Sequence, residues 1–417
     1  MNLSGLANIK RVFAIRNYRI FVVGNLSSSL GNWIHRVAVG WLAWELTGSA
    51  TWLGVMAFAD LAPTVLIGPI AGAVVDRSHY LRVLKVTQTI NMCQAGALAV
   101  LTFADAITIW LLLGLTLVRG INVAFNRPAR MSLVYELVPR AELSSAIALN
   151  AVIFNSARFM GPAMGGVLIS AGSVGLAFTV NMLSFLVFLV ALMMLRMPTP
   201  EAREKSGRGL MGDAMEGIRY ALAHPAIGMI LAIMVLTALF VRPFSELLPA
   251  FADKVFGRGV EGLAWLISAN GIGAMIAGLW LAARGQTAGL ANIVVLGLLL
   301  MALALLGFTA TDEFWLAWPF LILAGFAMVA QGVASQTLVQ IGVASEMRGR
   351  VMGIYGIVAR GGPAIGALFM GILSDQVGLR LPVAGGAALC LVLWLWATRR
   401  MDAITSAIEI DPPPTRL

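Results

Sequence analysis

Asn25, Ser29, Asn32 and Arg36 recur at intervals of four, three and four residues in GNLSSSLGNWIHRVAVGWLAW, a run that is otherwise apolar. That spacing stacks the four side chains on one side of an α-helix. Groups of this kind hold solutes by hydrogen bonds and charge. An unsatisfied polar group in hydrocarbon costs several kcal/mol, so the stripe must face protein or a wet cavity. Asp60 and Arg36 lie at similar distances either side of the short segment from Thr47 to Ala50. In neighbouring antiparallel helices that puts them at similar depth and predicts an Arg36–Asp60 ion pair. Arg242 and Glu246, at i,i+4 beside Pro243 and Pro249, offer a parallel pair. An acid beside an arginine stays ionised, and separating the two favours proton uptake, so the chemistry on offer is conformation-linked proton exchange at Asp60 and Glu246. Simple charge neutralisation is the competing reading, and both stand at this point.

Arg119 lies within the apolar run LTLVRGINVAF, with Asn122 and Asn126 on its helical face. A cation at that depth needs a partner or a wet cavity; the alternative is a hydrogen-bond hub to neighbouring carbonyls. Arg36, Arg119, Arg158, Arg242 and Arg360 all fall within apolar segments, against the two clear acids Asp60 and Glu246. If most of them line a cavity, it favours anionic or hydrogen-bond-rich solutes over lipophilic cations. Arg158 and Arg360 have helix ends as alternative partners.

The elements that must position these residues follow from hydropathy. Of 417 residues 59% are hydrophobic and 12% charged, with a mean hydropathy of +0.87, which describes a polytopic membrane protein. Runs of roughly 20 apolar residues predict twelve spans, at about 18–45, 50–75, 83–103, 107–129, 143–170, 175–196, 226–251, 261–283, 288–310, 313–340, 350–374 and 380–399. The net charge of +9 comes from Lys and Arg concentrated on alternate loops, with only Lys254, Arg258 and Arg380 on the other side. The positive-inside rule explains that excess without nucleic acid and puts both termini in the cytoplasm. The first run is too long for a signal peptide and no small-residue cleavage site follows, so it is expected to stay as helix one.

The longest polar interval, Pro198 to His224, divides the chain near its midpoint. The expected organisation is a first bundle over 1–197, a cytoplasmic linker with an amphipathic helix over 198–224, a second bundle over 225–401 and a cytoplasmic tail over 402–417. RFMGPAMGGVL, from Arg158, and RGGPAIGALFMG, from Arg360, occupy the fifth span of each half and read as an internal repeat.

The three histidines, His35, His79 and His224, are scattered, HExxH is absent, and no GxxxxGK[ST] phosphate loop occurs. An intramembrane enzyme therefore has no catalytic or metal set to work with, and no cofactor is expected. Cys93 and Cys390 carry no disulfide or metal signature and read as packing residues.

The six-plus-six pattern, the basic linker and the string GAVVDRSHYLRVLK resemble the major facilitator superfamily. Gly72, Asp76, Arg77, Arg82 and Lys85 match its signature between spans 2 and 3, while His79, Tyr80 and Leu81 depart from it. The second-half counterpart, GLWLAARGQ, has Ala282 where the acid would stand. Leu115 and Arg119 match the start of the superfamily's span-4 motif. In span 5, Gly161, Pro162, Gly165 and Gly166 match its antiporter motif, with Ala148 and Ala157 replacing two glycines. WLAWELTGSATWLG, FNRPARMSLVYELVP and EMRGRVMGIYG look most like the branch holding the enterobactin exporter.

That resemblance implies an all-α membrane protein of twelve helices in two six-helix bundles related by a pseudo-two-fold axis, monomeric in a bacterial plasma membrane. It implies a cytoplasmic gate at Gly72, Asp76, Arg77 and Arg82, and a cavity holding Asn25, Ser29, Asn32, Arg36, Arg119, Asn122, Arg158, Arg242 and Arg360. The implied function is proton-coupled export of a small amphipathic solute, siderophore-like or drug-like, by alternating access among membrane lipids. An uncoupled facilitator or a lipid flippase on the same fold is the alternative.

Overall fold

A computed structural model describes residues 11–196 and 210–400. Residues 198–209 of the expected linker and the expected tail lie outside them. Among the described residues every regular element is helical, as a bilayer requires when no water can satisfy open backbone groups.

The helices are α1 (Arg16–Thr47), α2 (Ala50–Leu66), α3 (Gly68–Asp76), α4 (Tyr80–Phe103), α5 (Ile109–Leu137), α6 (Leu143–Ala171) and α7 (Val174–Met194). They continue with α8 (Leu210–Ala223), α9 (Pro225–Phe240), α10 (Gly259–Arg284), α11 (Leu290–Ala310), α12 (Phe314–Gly342), α13 (Arg348–Val377) and α14 (Arg380–Thr398). Nine described helices are long and apolar enough to cross a membrane, and ten if the bent pair α2–α3 counts as one span. The long helices α1 and α4 fall short of that measure because of their polar residues, and they supply much of the polar lining described below.

Local breaks have local causes. The 51° bend between α2 and α3 comes where Pro69 opens the second helix, because its ring cannot follow an unbroken turn. Gly48 joins α1 to α2 with φ +57, a left-handed turn that a glycine adopts without strain. The hydroxyls of Thr108 and Ser173 cap the starts of α5 and α7. After α9 the chain reaches Val255 through a 3₁₀ turn over Arg242–Leu247 and a π turn over Phe251–Val255, around Pro243 and Pro249. Arg242 and Glu246 thus stand in a 3₁₀ turn rather than at the i,i+4 spacing of an α-helix. With three residues per turn the two directions differ by about 120°. Glu246 accepts from Ser245 Oγ at 3.5 Å.

The described residues form two compact units: 11–48, 59–196 and 258–268 in one, and 49–58, 210–257 and 269–400 in the other. In the first, α1 packs on α7 and α6, and α4 on α7 and α5, around the fully buried Tyr18, Phe21, Phe178, Phe185 and Phe188. Small residues let the backbones close in. A Cβ on Gly31 would lie 2.0 Å from Ser184 Oγ, and one on Gly24 2.6 Å from the Phe188 ring.

In the second unit α9 packs on α13, and α11 on α12 and α14. Here too glycines mark the contacts, Gly273 against the Ile322 carbonyl and Gly325 against that of Asn270. The two copies of the Gly-Pro string do the same job in their own units. Gly161 on α6 fits against Trp33 of α1, and Gly362 on α13 fits against Ala238 of α9. Cys390 is buried as expected for packing, whereas Cys93 is exposed.

Candidate functional site

The first unit holds a polar knot between α1, α2 and α5. A Cβ on Gly120 would come within 2.5 Å of the Ala59 carbonyl oxygen and 2.9 Å of that of Asp60, so α5 can lie this close to α2 only with glycine there. The neighbouring Arg119 is thereby carried onto the Asp60 carboxylate, to which its Nη1 donates. Its Nη2 donates to Asn32 Oδ1 on α1 at 3.1 Å, and Asn32 is held by donating from its own amide to the Ser28 carbonyl at 2.7 Å. The side chains of Arg119 and Asp60 are 12% and 23% exposed, so the pair is sheltered yet still within reach of water.

Arg36 is not the partner of Asp60, contrary to the depth argument. It is exposed, with its guanidinium 5.6 Å from the Trp33 ring centroid. Equal depth does not fix which face of a helix a residue occupies, and Gly120 decides the neighbour.

Asn25, Ser29, Asn32, Trp33 and Arg119 line one cavity of about 580 Å³ with Arg127, Arg130 and Asn150. Arg130 donates to Asn25 Oδ1 at 2.9 Å and to Ser28 Oγ at 3.4 Å, and the Asn25 amide donates to Asn150 Oδ1 at 3.1 Å. Arg127 and Arg130 flank the expected end of the fourth span near residue 129, so neither stands out as a cavity residue in the sequence. In the structure α5 runs through Pro128 to Leu137.

Asn122 opens instead onto a second hollow, of about 510 Å³, with Arg77 and Arg82. Its amide donates at 2.7 Å to both the Thr87 carbonyl and Asn91 Oδ1, while that of Asn126 reaches Thr87 Oγ1 and Gln88. These asparagines stitch α5 to α4.

Arg158 lies 5.9 Å from the Trp33 ring centroid, so this tryptophan carries two guanidinium groups. Arg242 and Arg360 belong to the second unit and do not share this cavity. Pro162 stands inside α6, Gly165 packs on Ile34 and Gly166 on Ala264. Gly72 has open space where a Cβ would be. Asp76 ends α3 exposed.

Residues 10–412 match the family described as transmembrane secretion effector. The chain belongs to this family of major facilitator transporters. The transporter is 25% identical to the staphyloferrin A transporter of Staphylococcus aureus, over 89% of this chain and 93% of that one. It is 24% identical to the multidrug efflux pump Tap of Mycolicibacterium fortuitum, over 85% and 88% of the two chains. Macrolide efflux protein A of Streptococcus pyogenes is 19% identical over 89% and 93%.

Among solved structures, the transporter resembles a bacterial homologue of the human lysosomal transporter Spinster, with a TM-score of 0.74 and 17% identity over 95% of this chain and 99% of that chain. It also resembles the nucleoside transporter NupG, with a TM-score of 0.70 and 15% identity over 92% and 98% of the two chains. These likenesses share the major facilitator fold. The transporter is thus a multi-pass membrane protein that moves small molecules.

Proposed function

We propose that the transporter is a proton-coupled exporter of a small amphipathic molecule, siderophore-like or drug-like, working by alternating access in a bacterial plasma membrane with both termini in the cytoplasm. The observation that carries this reading is the contact of Arg119 with both Asp60 and Asn32 on the wall of a cavity. Asp60 is paired with a cation that also touches the solute-facing stripe of α1. A movement of α5 against α2 removes that cation, and the carboxylate then gains by taking a proton. Protonation in turn frees Arg119 for Asn32 or for solute. Proton occupancy and solute access are thereby linked through one side chain. Glu246 is a second candidate proton site in the other half.

Export, rather than uptake, is supported by the Gly161-Pro162 and Gly165-Gly166 steps of α6 and by the likeness to two efflux proteins. Lipids surround the protein as solvent, and a monomer contains the whole cavity described above.

The test is solute accumulation in inverted membrane vesicles with an imposed acid interior. Uptake against the solute gradient, collapsed by a protonophore, is the expected result. Transport indifferent to the proton gradient identifies an uncoupled facilitator, and transfer of two-chain lipids between leaflets identifies a flippase; either outcome displaces the coupled-exporter reading.

A further inference from the structure

The cavity beside α1 and α5 is lined by Arg119, Arg127 and Arg130 and by no aspartate or glutamate. The charge of Arg119 is met by Asp60. Arg130 is differently placed. Among the described residues its guanidinium donates to Asn25 Oδ1 and Ser28 Oγ and lies 4.8 Å from the centroid of the Phe188 ring, while its Nε–H is buried without an acceptor. Every one of those partners is neutral. Asn25 is itself tied to Asn150, so the carbonyl that meets Arg130 is a fixed part of the wall. A sheltered cation with dipoles but no counter-charge is unfavourable alone, and an anion entering the cavity relieves that cost.

The chemistry of the wall narrows the anion. Arginine offers a planar fork that matches a carboxylate or a phosphate. A phosphate site typically adds a lysine or a cradle of free backbone N–H groups at a helix start. The lining residues of this cavity include no lysine and lie within the interiors of α1, α4, α5 and α6, where backbone donors are already bonded along the helix. What surrounds the arginines is side-chain amide from Asn25, Asn32 and Asn150, suited to hydroxyl, amide and further carboxyl oxygens. Arg127 stands one turn before Arg130 on α5 and lines the same cavity.

Building on the exporter reading, we propose that Arg130 anchors the substrate and that the exported solute is an oligocarboxylic acid, one carboxylate on Arg130 and its other oxygens on the amides around it. Asp60 and Arg119 keep their proton-linked role beside it.

Purified transporter in nanodiscs, titrated calorimetrically with citrate, succinate, acetate, inorganic phosphate and ethidium, tests this. The account expects saturable binding in the order citrate, succinate, acetate, weakening as salt is raised. Arg130→Gln lowers citrate affinity at least tenfold, and Arg130→Lys lowers it less because the charge stays while the fork is lost. The unfolding temperature of each variant without ligand is measured alongside, and Arg130→Lys carries the comparison if the glutamine variant folds poorly. Failure of every carboxylate to saturate at millimolar concentration, citrate binding unchanged in both variants, or tighter binding of phosphate or ethidium than of citrate overturns the proposal. No gradient is present in the titration, so its outcome is independent of whether transport is driven by protons.

Discussion

Arg119 on α5 closes an ion pair with Asp60 on α2, and the same guanidinium reaches Asn32 on α1. Removing either charge strands the other in a sheltered place. Arg119→Gln is expected to destabilise the protein by about 1–3 kcal/mol, below the figure for a fully buried pair because both side chains keep some access to water. Adding Asp60→Asn to Arg119→Gln should recover part of that loss, since no lone carboxylate remains. Thermal unfolding of the wild type, both single variants and the double variant measures it; strict additivity would show that the two residues do not interact.

Asp76 is exposed at the end of α3, and the gating proposal gives it a part in the transport cycle rather than in folding. Asp76→Asn should leave the unfolding temperature within a degree or so of the wild type, because exposed substitutions away from contacts fall within about ±0.5 kcal/mol. Transport should nevertheless slow, with altered labelling of cysteines introduced at the cytoplasmic helix ends. Equal rates and equal labelling would remove Asp76 from the gating account.

The repeated glycines predict a matched pair of losses. Gly161→Val puts a branched side chain where a Cβ already lies 2.4 Å from Trp33 Cβ, and Gly362→Val does so 2.5 Å from Ala238 Cβ. Each should cost about 1–3 kcal/mol by overpacking, seen as lower unfolding temperature and lower yield of monodisperse protein. If one is tolerated and the other is not, the two copies of the string do not play equivalent parts.

Asp375 near the end of α13 accepts from the backbone N–H groups of Ala50 and Thr51 at 2.8 and 2.9 Å and from Ser49 Oγ at 2.5 Å. It caps the start of α2 from a helix more than 300 residues away in the chain. Asp375→Ala should cost about 0.5–2 kcal/mol, the usual range for a lost cap, and Asp375→Asn less. The backbone amides of Ala50 and Thr51 should exchange hydrogen faster in the alanine variant; unchanged exchange would mean that the cap contributes nothing there.

Much of the fold was legible in advance for a physical reason: a bilayer core forces long apolar helices, so hydropathy alone located most of them to within a few residues, with α5 and α9 the exceptions. The Gly-Pro repeat was legible too, because close helix packing demands small side chains. The partner of Asp60 was not. Depth along a helix can be counted from a sequence, but the face depends on which neighbour approaches, and that was decided by Gly120 against the carbonyls of α2. Arg127 and Arg130 were missed because they flank the expected end of the fourth span near residue 129, whereas α5 continues to Leu137. Within a membrane a proline can stay helical where neighbouring elements support it, as Pro128 does in α5. The asparagines of α5 divided in a way that spacing could not foresee: Asn122 and Asn126 bind α4, while the cavity-facing charge comes from the arginines beyond them.

The most direct test of the central claim, that Asp60 couples protons to solute through Arg119, is transport by Asp60→Asn in reconstituted vesicles. Solute accumulation driven by an imposed pH gradient and solute exchange at equal pH are measured on the same preparation. The account predicts that accumulation is abolished while exchange persists at a comparable rate, because the substitution removes the proton site and leaves the cavity standing. Accumulation against the gradient by Asp60→Asn at the wild-type level would contradict it and make the ion pair a structural one.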